Sequence, residues 1–196
     1  MIYLPTALVE GLKEKISSSI SMYQSLGIVI PGTNYNDIVH ALFDCIKEHP
    51  SDMWVYITIT RPFDSFARLI KDIRVIPNVT FIDCISRASG IVKKDGRCVY
   101  IDSPTMLENI MMETMNIFER IPQDTGKYLI LDSLSALMIY NDSSLVTEFF
   151  YQLLNRARCE DIHTISLVVE EGEEDKSINR LIYLNDKILK VRDTFI

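Results

Sequence analysis

The chain has 196 residues, 47% of them hydrophobic and 24% charged, values that predict one globular domain over residues 1–196 with a sizeable core. Its 27 acidic and 20 basic residues give a net charge of −7, which argues against non-specific binding to nucleic acid or to anionic membranes. The apolar runs fall short of the roughly 18 residues that a membrane span needs, so no span is predicted.

Cysteine and histidine usage favours a reduced, cytoplasmic protein. The four cysteines are far apart and form no C-x-x-C pair, and three of them lie in apolar contexts typical of buried thiols. The three histidines have no metal-ligand spacing with one another or with the cysteines. The first residues lack the basic and apolar regions of a secretory signal. We therefore expect a cytoplasmic protein without a metal site.

Helical and strand patterns alternate along the first half of the chain. They predict a helix over 6–21, a strand over 25–30, a helix from Asn36 that stops at Pro50, a strand over 53–60, a helix over 62–73 and a strand over 79–85. The turn Pro31-Gly32 ends the first strand, and Asn36 is the predicted N-cap of the next helix.

The second half continues the alternation, starting with a small hairpin. The Asp95-Gly96 pair is typical of a two-residue turn and predicts a hairpin over 92–101. The following elements are a helix over 104–121, a strand over 128–131, a helix over 143–158, a strand over 163–169, a solvated acidic loop over 170–175 and one or two edge strands over 181–191.

This order of elements predicts an α/β fold. Strands that are apolar throughout and alternate with helices of 10–18 residues indicate a mostly parallel central sheet covered by helices on both faces. Ligands of such sheets bind at the carboxyl ends of the strands. The loops to search are therefore those that follow Ile30, Thr60, Ile85, Leu131 and Val169.

Three segments carry a family resemblance. The main one is Lys127-Tyr128-Leu129-Ile130-Leu131-Asp132-Ser133-Leu134-Ser135-Ala136-Leu137, and the weaker ones are Tyr56-Ile57-Thr58-Ile59-Thr60-Arg61-Pro62 and Leu184-Asn185-Asp186-Lys187-Ile188. The first resembles the Walker B strand of the RecA superfamily, in particular its archaeal KaiC-like branch, and the resemblance extends from about Leu26 to Ile188. It implies a RecA-like P-loop NTPase fold, in which working members bind ATP and Mg²⁺.

The phosphate loop departs from the family pattern. A working loop reads G-x-x-x-x-G-K-[ST], with glycines for close backbone approach and a lysine for the phosphates. Here the corresponding segment is Gly32-Thr33-Asn34-Tyr35-Asn36-Asp37, and no lysine or arginine occurs between Pro31 and Ile46. Thr60 stands where the family has its catalytic glutamate. We therefore expect a degenerate Walker A segment, no catalytic residues and no hydrolysis.

The resemblance places a vestigial nucleotide site at six residues: Gly32, Thr33, Asn34, Arg61, Asp132 and Ser133. Each also has an ordinary structural explanation. The Gly32 segment suits a simple turn, and Arg61 pairs more readily with Asp64 or Asp132 than with phosphate. Asp132 either supports a metal ion, as in the family, or caps the turn after its strand, with Ser133 and Ser135 bonded to the local backbone. Part of the cluster Met106, Met111, Met112 and Met115 suits an adaptable binding surface and part suits the core.

Two functional hypotheses follow. The first is a catalytically inactive RecA/KaiC-like domain, a pseudo-ATPase that acts as a regulatory or protein-interaction module without a bound cofactor. Since RecA-like subunits commonly meet beside the nucleotide site, the resemblance also implies a protein partner or a homo-oligomer. The alternative is an atypical nucleotide-binding protein, or a weak ATPase, that holds ATP and Mg²⁺ with a non-standard phosphate loop. The net charge of −7 argues against a DNA-bound role.

Overall fold

The structure is a computed structural model that describes residues 7–70, 73, 76–91, 94–170 and 176–191. Helices and strands alternate along the chain. In order they are α1 (Ala7–Met22), β1 (Ser25–Pro31), α2 (Tyr35–Glu48), β2 (Met53–Thr58), α3 (Phe63–Leu69), β3 (Val79–Asp83), β4 (Cys98–Tyr100), α4 (Leu107–Phe118), β5 (Lys127–Asp132), α5 (Leu134–Tyr140), α6 (Ser143–Cys159), β6 (Ile162–Glu170), α7 (Lys176–Ile182) and β7 (Lys187–Lys190).

The strands form one parallel sheet, in the order β4-β3-β2-β5-β6-β1-β7. Every described strand pair is parallel. The central strands bury nearly all of their residues, as expected of strands covered on both faces. The predicted α/β fold with a parallel central sheet is confirmed.

Helices cover both faces of the sheet because side chains alternate along each strand. Trp54 and Tyr56 of β2 belong to the core under α1, α2 and α3. Val55 and Ile57 belong to the opposite core, under α4, α5, α6 and α7. No helix in the described ranges is long and apolar enough to cross a membrane.

The predicted hairpin over 92–101 differs from the structure. Asp95 and Cys98 do form an antiparallel bridge around the turn, and the Asp95 carboxylate accepts a hydrogen bond from the Arg97 N–H at 3.0 Å. However, β4 then joins the main sheet as a parallel edge strand, with Phe81 opposite Cys98. Residues 92–93 lie outside the described residues. The turn is therefore followed directly by β4, the edge strand of the sheet.

Other elements also differ from the prediction, among them an N-cap, a short helix and the segment over 181–191. Asn34, and not Asn36, is the N-cap of α2, because the 3-10 turn Gly32–Asn34 follows β1 directly. The short helix α5 follows β5 at once and was not predicted. Leu181 lies in α7, so 181–191 contributes a single edge strand, β7. The predicted acidic loop falls mostly on 171–175, which lie outside the described residues.

Candidate functional site

The candidate site lies where β1, β2 and β5 end. β1 leads within three residues, through the exposed 3-10 turn Gly32–Asn34, into α2. The Thr33 hydroxyl donates a hydrogen bond to the Asn34 side-chain oxygen at 3.1 Å. A Cβ on Gly32 would meet only Val169, at an ordinary contact distance of 3.8 Å. The connection between strand and helix is therefore a compact local turn.

Tyr35, the first residue of α2, turns its side chain inward to the end of β5. It is buried, and its hydroxyl donates a hydrogen bond to Oδ2 of Asp132. The Tyr56 hydroxyl donates to the same oxygen at 2.7 Å, and the Thr60 hydroxyl does so at 3.2 Å. The hydroxyls of Tyr35 and Thr60 also lie 2.8 Å apart. We call these three residues the hydroxyl cage of Asp132.

Asp132 is fully buried inside this cage. Its Oδ1 atom is buried too and has no hydrogen-bond partner among the described residues. Burial raises the pKa of the Asp132 carboxyl to about 6, although the hydrogen bonds from the cage and the nearby Arg61 charge act to lower it. Part of the population is therefore a neutral acid at slightly acidic pH.

Arg61 covers the outer side of the cage. Its guanidinium carbon lies 4.5 Å from the ring centroid of Tyr35, within the range of a cation–π contact. Its Nη1 atom donates a hydrogen bond to the Asn36 side-chain oxygen at 3.3 Å. The described contacts of Arg61 thus include no direct ion pair with Asp132, although the Arg61 charge acts on that carboxyl. The alternative pairing with Asp64 stays a prediction.

The Ser133 side chain forms a hydrogen bond with the local backbone. Its peptide bond to Asp132 is cis, and its Oγ accepts a hydrogen bond from the Ala136 N–H at 3.1 Å, which caps α5. The Ser135 hydroxyl lies 2.9 Å from that of Ser133 and accepts from the Val169 N–H at 3.0 Å. Together the hydrogen bonds of these two serines connect α5 to the end of β6. The interpretation of these serines as backbone caps is supported.

The structure brings some of the predicted site residues together and adds others. Asp132 and Arg61 lie on either side of Tyr35, whereas Gly32 and Thr33 are exposed on the turn. Tyr35 and Tyr56, which complete the cage, were missed by the sequence reasoning. Their available signal was that a tyrosine in a buried position needs a hydrogen-bond partner for its hydroxyl.

The residues around Asp132 are poorly suited to bind a metal ion. Within the described ranges there is no group of three or more histidine, cysteine, aspartate or glutamate side chains that could hold one. Asp132 is the only carboxylate in the cage, and its Oδ2 already accepts three hydroxyl hydrogen bonds. Hydroxyl donors occupy Oδ2, so Asp132 leaves only Oδ1 to a hard cation, which prefers about six or more oxygen ligands.

Comparison with known proteins gives structural likenesses only. No protein-family model and no curated protein matches the chain. The KaiC-like protein PH0186 from the hyperthermophilic archaeon Pyrococcus horikoshii OT3 is similar in structure, with 13% identity and a TM-score of 0.57 over 89% of this chain and 74% of that one. The uncharacterized protein PH0321 from Pyrococcus horikoshii, solved in complex with an unknown peptide, has 13% identity and a TM-score of 0.60 over 91% and 82%. With its parallel sheet and flanking helices, the chain has the α/β fold of RecA-like proteins and of KaiC-like proteins among them.

Proposed function

We propose that this chain is a RecA/KaiC-like domain that does not hydrolyse ATP and that acts by binding a protein partner. One observation carries the proposal: the Tyr35 hydroxyl donates a hydrogen bond to Asp132. In the family resemblance, Asp132 is the aspartate that supports Mg²⁺ next to the phosphate loop. Here a side chain from the start of α2 occupies that space.

The charges around the site support the same conclusion. Phosphoryl transfer is catalysed largely by cations placed against the transferring oxygens. The segment from Pro31 to Ile46 has no lysine or arginine, and Asp37 lies in the first turn of α2, where the helix dipole would otherwise attract an anion. Thr60, a hydroxyl donor in the cage, stands in place of a catalytic base. The residues present do not fit Mg²⁺–ATP.

A binding role draws support from a structural neighbour. PH0321, which has the same fold, was solved in complex with an unknown peptide. That complex concerns PH0321 itself, but it makes peptide recognition a reasonable role for a RecA-like domain of this size. A second copy of the chain is the other candidate partner, and sedimentation of the purified protein distinguishes a monomer from an oligomer.

An ATPase assay tests the central claim. Purified protein is incubated with ATP and Mg²⁺, and phosphate release is compared with that of the Asp132→Ala variant and of a no-protein control. We expect the two proteins to release phosphate at the background rate. Hydrolysis that requires Mg²⁺ and disappears in Asp132→Ala would overturn the proposal.

Weak nucleotide binding is the second candidate, and the position of Arg61 favours it. The guanidinium lies at the carboxyl edge of the sheet, where it could meet a phosphate. Thermal-shift titration with ATP and ADP at millimolar concentration tests this candidate. A rise in melting temperature that Arg61→Gln abolishes, and that Arg68→Gln on the neighbouring α3 retains, would establish it. No rise would remove it.

A further inference from the structure

A groove of about 660 Å³ lies between α4 and α6, on the face of the sheet opposite the hydroxyl cage. Its floor is apolar, since Met115 and Phe149 are buried there and belong to the core. Its walls are mixed, because exposed apolar side chains alternate there with polar ones such as Asn109 and Gln152. Met112 and Leu145 each leave 51% of their surface exposed, so the groove presents apolar side chains to solvent between the two helices.

The methionines make this groove adaptable. Met111 packs against the core beside Met115, while Met106 and Met112 remain exposed at the surface. Methionine side chains are flexible and polarizable, so they fit apolar partners of varied shape. The predicted division of the methionine cluster between core and surface agrees with this arrangement. The surface half lines the groove.

The charged residues around the groove are mostly acidic. Glu108 of α4, Glu119 just after α4 and Glu148 of α6 line it and are exposed, whereas Arg156 is the one basic residue in the described lining. A partner that buries apolar side chains between α4 and α6 must therefore bring its own charges close to these carboxylates. Lysine or arginine beside its apolar residues would complement them, and acidic residues would be repelled.

We infer that this groove binds an amphipathic helix whose apolar face is flanked by lysine or arginine. The inference rests on the proposed binding function and names its site and the chemistry of its partner. Apolar residues of the helix at i, i+3, i+4 and i+7 would contact Met112, Leu145 and the floor. Its basic residues would lie against Glu108 and Glu148. A helix of this kind matches both the apolar walls and the acidic rim.

A synthetic peptide provides the direct test. The probe is a fluorescein-labelled peptide of about 15 residues, built from leucine and lysine with the leucines at helical spacing. A scrambled peptide of the same composition has the same charge but no apolar face. Fluorescence anisotropy is measured on the full chain in the presence of physiological salt, so that charge alone contributes little. We expect the amphipathic peptide to bind at least about tenfold more tightly than the scrambled one.

Matched variants locate the binding site. Met112→Glu replaces an apolar contact with a charged side chain that would be buried against the apolar face of the helix, and Met22→Glu makes the same change at a methionine on α1 that is 74% exposed. We expect Met112→Glu to weaken binding at least about tenfold and Met22→Glu to change it less than about twofold. Circular dichroism checks that both variants fold. Equal binding to both variants, or equal binding of both peptides, would overturn the inference.

Two further outcomes separate this inference from the proposed function. Sedimentation that shows a dimer, which Met112→Glu dissociates, would assign the groove to a second copy and overturn the helix partner. Hydrolysis of ATP would overturn the proposed function without changing the peptide result. Loss of the peptide result alone would leave the inactive, partner-binding domain in place and remove only this groove as its binding site.

Discussion

The buried carboxylate of Asp132 makes a quantitative prediction about stability. Its pKa is raised from the ordinary value of 3.8 to about 6, because burial disfavours the charged form. The folded protein therefore binds this proton more tightly than the unfolded chain does. The resulting stabilisation is complete below about pH 4 and is lost as the pH rises through 6. At about 1.4 kcal/mol for each pH unit between the two values, the loss amounts to about 3 kcal/mol.

The Asp132→Asn variant isolates this contribution. It removes the titrating group but keeps an oxygen that can accept hydrogen bonds from the hydroxyl cage. Between pH 4 and pH 7 we expect the wild-type protein to lose about 2–2.5 kcal/mol of unfolding free energy relative to the variant, because the unfolded carboxyl is already partly ionised at pH 4. Urea unfolding at a series of pH values measures it, and the single tryptophan, Trp54, is fully buried and reports the transition.

Asp186 serves as a control of opposite sign. Burial acts to raise its pKa, but hydrogen bonds from Ser25 and the charge of Arg158 together lower it. Asp186→Asn is therefore expected to lose stability at neutral pH, and its deficit should shrink as the pH falls through the folded-state pKa. If Asp132→Asn and the wild type kept a constant difference in unfolding free energy from pH 4 to pH 7, the assignment of a raised pKa to Asp132 would be refuted.

Three further predictions concern the cage, the packing of two glycines and the thiols. Tyr35→Phe removes one donor from the Asp132 carboxylate and should destabilise the fold by about 1–3 kcal/mol at pH 7 in urea unfolding, while the ring keeps its packing. Gly27→Ala should lower the melting temperature, because the new Cβ would lie 2.5 Å from Ile182, whereas Gly11→Ala in α1 meets nothing within 4 Å and should raise stability by about 0.5–1 kcal/mol. Cys159 is exposed and the other three cysteines are buried, so a thiol reagent should label one cysteine in the native protein and four after unfolding.

Much of the fold could be predicted because its signals are local. The runs that became β1, β2 and β5 are apolar throughout, and parallel strands buried on both faces require that composition. The elements that were missed, α5 and α7, are short. In α5 the seven residues after Ser133 give too few turns for a helical period to stand out, and it is the Ser133 cap and the bond from Ser135 to β6 that fix the helix.

The site could be predicted only in part, because the residues that form it are far apart in the sequence. Asp132 stands out because an acid ends an apolar strand. Its partners Tyr35 and Tyr56 lie 97 and 76 residues away, and nothing near either tyrosine indicates that its hydroxyl meets a carboxylate. The absence of lysine and arginine between Pro31 and Ile46 was visible in the sequence. The contact of the Tyr35 side chain with Asp132 became visible only through the pairing of β2 with β5 and the position of α2 beside them.

The hydroxyl cage and the α4–α6 groove lie on opposite faces of the same sheet, which makes their roles separable. Tyr56 and Ile130 place the Asp132 side of the sheet in the core under α1, α2 and α3, while Phe149 and Met115 belong to the other core. Sites that share no contacts usually contribute independently to stability and binding. A protein carrying both Asp132→Asn and Met112→Glu should therefore show the pH response of the first change and the binding loss of the second, each with its single-variant size. A binding loss that depended on Asp132 would instead mean that the carboxyl edge of β5 is coupled to the opposite face of the sheet.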